Sequence, residues 1–275
     1  MKTPCDAVAG RFSLFLSTST KACGQGFFTS LNESKRMSAT AELIREALHE
    51  QADPEKAAFF PSFFKTGPGE YGEGDKFIGV TVPKLRKLAR KHRDMELDEV
   101  QKLLYDEYHE CRLTGLVILT EKYQRSKSIP EKERLNQFYL DHLDQVNNWD
   151  LVDATAHKIL GAEMVRTGET EILEELASSK HLWRERVAVI ATLALIKIKD
   201  FEPTLALCKR FLSHQHDLIH KATGWMLREI GKINKDTLEL FLARHSKKMP
   251  RTMLRYAIEK LPKSERDLWL ERSRT

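Results

Sequence analysis

The chain has no apolar run long enough to cross a bilayer. Its longest, Val187–Ile196, is interrupted only by Thr192, whereas a spanning helix needs about 20 residues. That run reads as a buried helix. Cysteine is scarce: Cys5, Cys23, Cys111 and Cys208 are far apart, with no Cys-x-x-Cys pair. This spacing excludes a disulfide frame and a cysteine zinc site, and it suits reduced thiols in a cytoplasmic protein. Strand-like alternation is missing throughout. Lys65–Gly79 holds five glycines and Pro68, but these do not lead into Gly-Lys-Ser/Thr, so the segment is a loop and not a nucleotide phosphate cradle. His214, His216 and His220 look like metal ligands, yet no Glu follows His216, as the zinc-protease helix requires. They are expected to be surface or phosphate-contacting histidines.

Acidic residues are unevenly spread. Net charge is +5 over 275 residues. From Ser178 to Thr275 there are 21 Lys and Arg against 11 Asp and Glu, and the remainder holds 24 against 29. A basic C-terminal half suits a polyanionic partner, although a merely basic surface would give the same count. Residues 1–36 contain only Asp6 and Glu33 as acids and are rich in Ser, Thr, Gly and Phe. Phe12–Leu16 is too short for a signal-peptide core. The expected organisation is a disordered extension over residues 1–37 and one folded domain over 38–275. Met37 is an alternative start, with Ser38 as helix N-cap.

From Ser38 onward the apolar spacing is helical. Leu43, Ile44, Ala47 and Leu48 share one face of a helix over Ala41–Glu50, and Val82–Arg93 continues the pattern after the glycine-rich loop. Further helices are expected to begin near Tyr108, Trp149, Leu182, Asp217 and Met249–Pro250. A shorter amphipathic helix precedes each: Glu96–Tyr105, Glu131–Leu143, Glu169–Ala177, Glu202–Leu212 and Lys235–Ala243. Helix pairs recurring at this spacing are the mark of a solenoid, in which each pair buries its apolar face against the next. No TPR-type Trp/Gly/Tyr pattern is present. The expected fold is therefore all-α: a right-handed α–α solenoid of HEAT-like pairs with a concave basic groove.

The second helices align by hand as Arg112-Leu-Thr-Gly, Asp153-Ala-Thr-Ala, Arg186-Val-Ala-Val, Lys221-Ala-Thr-Gly and Arg255-Tyr-Ala-Ile. Their charged residues are 41, 33, 35 and 34 apart. Equivalent positions of stacked repeats line one surface. The alignment thus predicts a stripe of Arg112, Asp153, Arg186, Lys221 and Arg255, four cations suited to phosphates and one acid. Trp149 lies four before Asp153 and Trp225 four after Lys221, so both indoles should flank the stripe. Trp183 and Trp269 fall outside this register and are assigned to the core. Arg228, Lys247, Lys248 and Arg251 are further candidates for the DNA backbone. Arg251 is chosen because it lies four before Arg255.

Two plain alternatives remain at this point: Asp153 pairs with Arg186 or caps a helix, and the indoles belong to the core. The chemical alternative is a carboxylate between aromatic walls in a cationic groove. Alkylation at purine N3 or N7 makes the base a cation that departs neutral, leaving positive charge on the deoxyribose. A carboxylate stabilises that charge and orients water. Indole faces favour a cation. No general acid is needed, which fits a single carboxylate.

The same residues carry a resemblance. Asn147-Asn148-Trp149-Asp150-Leu151-Val152-Asp153, Leu182-Trp183-Arg184-Glu185-Arg186 and His220 to Glu229 resemble the AlkD family of DNA alkylation-repair glycosylases. Tyr71 to Val80 and Met249 to Lys260 resemble it as well, so the likeness runs from about Ser38 to the C-terminus. It implies HEAT-like repeats and excision of cationic N3- and N7-alkylpurines from duplex DNA without conventional base flipping. Asp153 would be the catalytic aspartate, Trp149 and Trp225 the lesion-flanking tryptophans, and Arg186 the arginine after the Leu-Trp pair. Arg112, Lys221, Arg251 and Arg255 are expected to bind DNA. The resemblance implies no metal and no cofactor, and a monomer is expected. A Schiff-base role for Lys221 is a weaker alternative. Competing functions are a non-catalytic DNA-structure binder and a protein-binding scaffold.

Overall fold

The computed structural model describes residues 39–273. The expectations for residues 1–37, the alternative start at Met37 and the Ser38 cap fall outside the described residues. Within them, Thr40 caps the first helix, Ala41–His49, its side chain accepting from the Leu43 N–H.

The described residues form sixteen α-helices and two short 3-10 turns, with one isolated bridge between Lys76 and Tyr108 and no β-strand. The fold is an all-α solenoid of helical repeats. The longer or inner helix of each expected pair starts close to its predicted position: His109–Arg125, Trp149–Thr155, Leu182–Ala191, Asp217–Ile233 and Arg251–Ala257. The preceding helices are Leu97–Leu104, Ile129–Asp141, Ile172–Ala177, Glu202–Arg210 and Lys235–His245. Successive inner helices pack on one another and on the outer helix that precedes them. Buried Leu103, Leu116, Leu151, Ile190 and Ile219 belong to one continuous core, and Leu227, Leu242 and Leu254 to a second that closes the C-terminal end. Burial of such side chains, about 1.5–3 kcal/mol each, drives the stacking. Val187–Ile190 lies inside this core, as its composition predicts.

Two inner helices break. Trp149–Thr155 is followed by a turn and then Leu160–Thr167. Leu182–Ala191 gives way at Thr192 to Leu193–Lys197, where the Thr192 hydroxyl donates to the Val189 carbonyl at 2.7 Å. Such back-bonding by Thr bends helices. Gly224 lets the last two inner helices approach closely: a Cβ there would sit 2.5 Å from the Met253 carbonyl oxygen and 2.6 Å from Tyr256 Cβ.

One helix absent from the sequence reading, Pro54–Phe64, lies between the first helix and the glycine-rich loop. Asp53 caps it by accepting from the Lys56 N–H, Pro54 opens its first turn, and Lys65 ends it in the left-handed region at φ 57°. Its aromatic residues Phe59, Phe60, Phe63 and Phe64 are placed on adjoining faces, so no single apolar stripe betrays it.

Candidate functional site

A cleft of about 540 Å³ opens among the inner helices. Trp149 and Asp153 reach it from the Trp149–Thr155 helix, Arg186 from the Leu182–Ala191 helix, and Lys221 and Trp225 from Asp217–Ile233. Three residues outside the sequence prediction complete its walls: Tyr71 of the glycine-rich loop, Phe63 of the unexpected helix, and Tyr256. The helical spacing of four places Trp149 one turn before Asp153 and Trp225 one turn after Lys221, which is why both indoles face the same opening. Trp183 and Trp269 are each only 6% exposed and belong to the core, as expected.

The Asp153 carboxylate is held as a fork. Arg186 donates Nε to Oδ1 at 3.0 Å and Nη2 to Oδ2 at 2.9 Å, while its Nη1 donates to the Leu218 carbonyl. The expected pairing of Asp153 with Arg186 is therefore present, and the carboxylate nonetheless lines the cleft. Arg186 is almost fully covered, at 4% exposure. Its guanidinium is committed to orienting the carboxylate, not to a flanking phosphate. Asp153 keeps a fifth of its side-chain surface open. Burial pushes its carboxyl above the ordinary aspartate range, and nearby Asp150 adds to the rise, against the pull of Arg186. A carboxylate short of solvation gains more from a cation placed beside it.

The remaining cations divide. Lys221 is half-exposed, and its Nζ lies 2.9 Å from the Asp217 carboxylate. That hydrogen bond raises its pKa and keeps it an ammonium, which disfavours a Schiff-base nucleophile. Arg228, one turn beyond Gly224, lines the cleft and pairs with Glu259. Three expected DNA-contacting residues stand elsewhere. Arg112 does not join an open stripe: it is 5% exposed and bound to Asp75 of the glycine-rich loop and to the carbonyls of Asp106 and Glu107. Arg255 is exposed and lies outside the cleft lining, with the neighbouring Tyr256 facing in. Arg251 is exposed and donates to the Leu270 carbonyl and the Ser273 hydroxyl.

Beneath the cleft a buried polar network fixes the walls. His109 Nδ1 lies 3.1 Å from Asp75 Oδ2, and its Nε2 lies 2.8 Å from Asp150 Oδ2. Asn148 also donates to Asp75 at 3.1 Å. Glu110 accepts the backbone N–H groups of Ile78, Gly79 and Val80 at 2.8–3.1 Å. Above His109, Phe64 and Phe77 stack, and Phe64 stacks in turn on Trp149 at 5.4 Å. The first acidic residue of the Trp-Asp-Leu-Val-Asp run thus serves the scaffold and the second faces the cleft. Burial opposes charge on His109, but Asp150 and Asp75 raise its pKa to about 9.

The consequence for pH has a definite sign. The folded pKa exceeds the unfolded value of about 6.5, so the network's contribution is complete below pH 6.5 and declines as pH rises through 9. At 1.36 kcal/mol per unit this is on the order of 3 kcal/mol. Urea midpoints measured from pH 6 to 10 are expected to fall more steeply for the wild type than for His109→Gln. Parallel curves would show that His109 carries no such proton.

The His214 side chain is taken up by Glu185, 3.0 Å away, and His220 Nε2 faces the His214 carbonyl. No helix among the described residues is long and apolar enough to cross a membrane.

Comparison with known proteins adds an independent line. No curated protein matches the sequence significantly. Among solved structures, a predicted DNA alkylation repair enzyme from Enterococcus faecalis shares the fold, with a TM-score of 0.62. It is 20% identical, and the match covers 78% of this chain and 98% of that one. The model of the DNA alkylation repair enzymes matches residues 44–261, from the first helix to the end of the last inner helix pair. On that match, which spans every wall of the cleft, the chain belongs to the DNA alkylation repair enzyme family.

Proposed function

We propose that the protein is a monofunctional glycosylase that hydrolyses the N-glycosidic bond of cationic N3- and N7-alkylpurines in duplex DNA. The observation that carries this reading is the set of four side chains on one cleft: a forked, poorly solvated Asp153 carboxylate on Arg186, with Trp149 and Trp225 beside it. Family membership supports a role in repair of alkylated DNA, and the site supplies the chemistry.

The glycosidic bond breaks with its electron pair moving to purine N9, which neutralises the alkylated base. Positive charge passes to the deoxyribose. Asp153 stabilises that charge and aligns a water whose oxygen bonds to C1′, its proton passing to the carboxylate or to solvent. The indole faces contribute roughly 0.5–2 kcal/mol each toward a cation. Lys221 and Arg228 suit the phosphates beside the lesion. HEAT-like repeats, action without conventional flipping, and independence from metal and cofactor complete the proposal. A monomer working in the cytoplasm on the nucleoid is the setting proposed.

The test is analysis of bases freed from methylated duplex DNA in chelator-containing buffer. Free 7-methylguanine or 3-methyladenine is expected, with unmodified bases retained. Steeply salt-dependent binding without base release would instead mark a non-catalytic DNA binder.

A further inference from the structure

Tyr71 stands on none of the repeat helices, yet its ring enters the cleft beside Trp149, Asp153 and Arg186. It comes from the loop that the sequence marks only by its glycines. That loop is held firmly. Asp75 is bound by His109, Arg112 and Asn148, and Glu110 ties down the residues that follow. Next to Tyr71, the Gly72 N–H donates to the Lys65 carbonyl at 2.9 Å, and a Cβ on Gly72 would sit 2.6 Å from the Phe64 carbonyl oxygen. The Tyr71 ring packs edge-on against Trp183 at 5.9 Å and near His216 at 6.4 Å. Ring and backbone are therefore both fixed.

The hydroxyl is where this fixation is felt. It meets the Trp149 side chain in a polar contact and lies within electrostatic reach of Lys221 and Arg186. Indole nitrogen can only donate, so the phenol oxygen is the acceptor. Trp149 is otherwise constrained by rings alone: Phe64 stacks on it at 5.4 Å, and Phe63 meets it edge-on at 5.8 Å. Stacking sets the plane of an aromatic ring, but it does not select which edge faces which way. The polar contact does.

We infer that Tyr71 is a positioning residue for the candidate active site, its hydroxyl fixing the edge of the Trp149 indole so that the opposite face is presented to the cationic base. This rests on the glycosylase reading for its effect on rate, and on the geometry alone for its effect on Trp149.

The experiment therefore has two readouts. The first needs no substrate. In ¹⁵N-labelled full-length protein, the Trp149 indole N–H resonance, assigned through Trp149→Phe, is expected to shift in Tyr71→Phe, with the Trp225 resonance in place. An unmoved Trp149 resonance overturns the inference. The second is single-turnover release of 7-methylguanine from a defined duplex. Tyr71→Phe keeps the ring and is expected to slow release about tenfold, the scale of one hydrogen bond, with duplex affinity unchanged. In a Trp149→Phe background the same change is expected to cost nothing further, because its target is gone. Additive losses, or equal rates for Tyr71→Phe and wild type, count against Tyr71 acting through Trp149. If the wild type frees no base at all, the glycosylase reading falls, and the indole resonance still decides the role of Tyr71.

Discussion

Asp153→Asn is expected to slow release of a cationic purine by about 10²–10³-fold, the usual scale for removing one preorganised electrostatic contact from a transition state. Duplex affinity is expected to hold or rise slightly, since a negative charge leaves the neighbourhood of Lys221 and Arg228. The substitution also has a structural cost. Asparagine offers Arg186 one acceptor in place of the two that it now binds at 2.9 and 3.0 Å. A buried guanidinium with an unmet N–H loses about 1–3 kcal/mol. Melting temperature must therefore be followed alongside rate, and the rate measured well below it. If Asp153 serves Arg186 alone, excision at low temperature will match the wild type, and the mechanism is wrong. The pH profile gives a second check. Burial raises the Asp153 pKa above the ordinary 3.8, so wild-type excision should fail on acidification earlier than a solvated aspartate would dictate.

The inner helices were legible in sequence because burial enforces them. Each needs an apolar stripe at helical spacing, and each starts at a residue that stops the previous turn, as Asn148 does by accepting from the Trp149 N–H. Asp153, Trp149, Trp225 and Lys221 followed from that register, since residues four apart on a helix share a face. The failures have one cause: partners remote in sequence. Arg112 occupies the same repeat position as Arg186, but Asp75, 37 residues earlier, reaches over and buries it. Nothing in a repeat alignment reports a carboxylate that arrives from a loop. At the C-terminal end the close approach at Gly224 brings Tyr256 to the cleft, one place beyond the aligned Arg255. Phe63 and Tyr71 were missed because their segments show no period. The available signal was composition: an aromatic residue inside a glycine-rich loop, and four phenylalanines within six residues after an Asp-Pro start.

Gly79→Ala is expected to be the most damaging single methyl in the N-terminal part of the fold. Gly79 has φ +93°, a region that costs an L-residue about 1 kcal/mol or more. A Cβ there would also lie 2.1 Å from the Asp53 carbonyl oxygen and 2.9 Å from the Ala57 nitrogen. Those two atoms form the first hydrogen bond of the Pro54–Phe64 helix, 2.9 Å long. Backbone cannot yield as a flexible side chain does, so the methyl must push that helix away from the loop. The Phe64 stack on Trp149 moves with it. Overpacking costs about 1–3 kcal/mol, and with the dihedral strain the loss reaches roughly 3 kcal/mol. In a domain of this size that lowers the melting temperature by about 6–12 °C. Gly74→Ala separates the two causes. Its φ is +86°, and nothing lies within 4 Å of the added Cβ, so it meets the dihedral strain without the clash. Gly74→Ala should melt only a few degrees below wild type and free base normally, whereas Gly79→Ala should lose stability and excision together. Equal melting temperatures for the two variants would mean that the contact between Gly79 and the Asp53 turn does not hold this wall of the cleft in place.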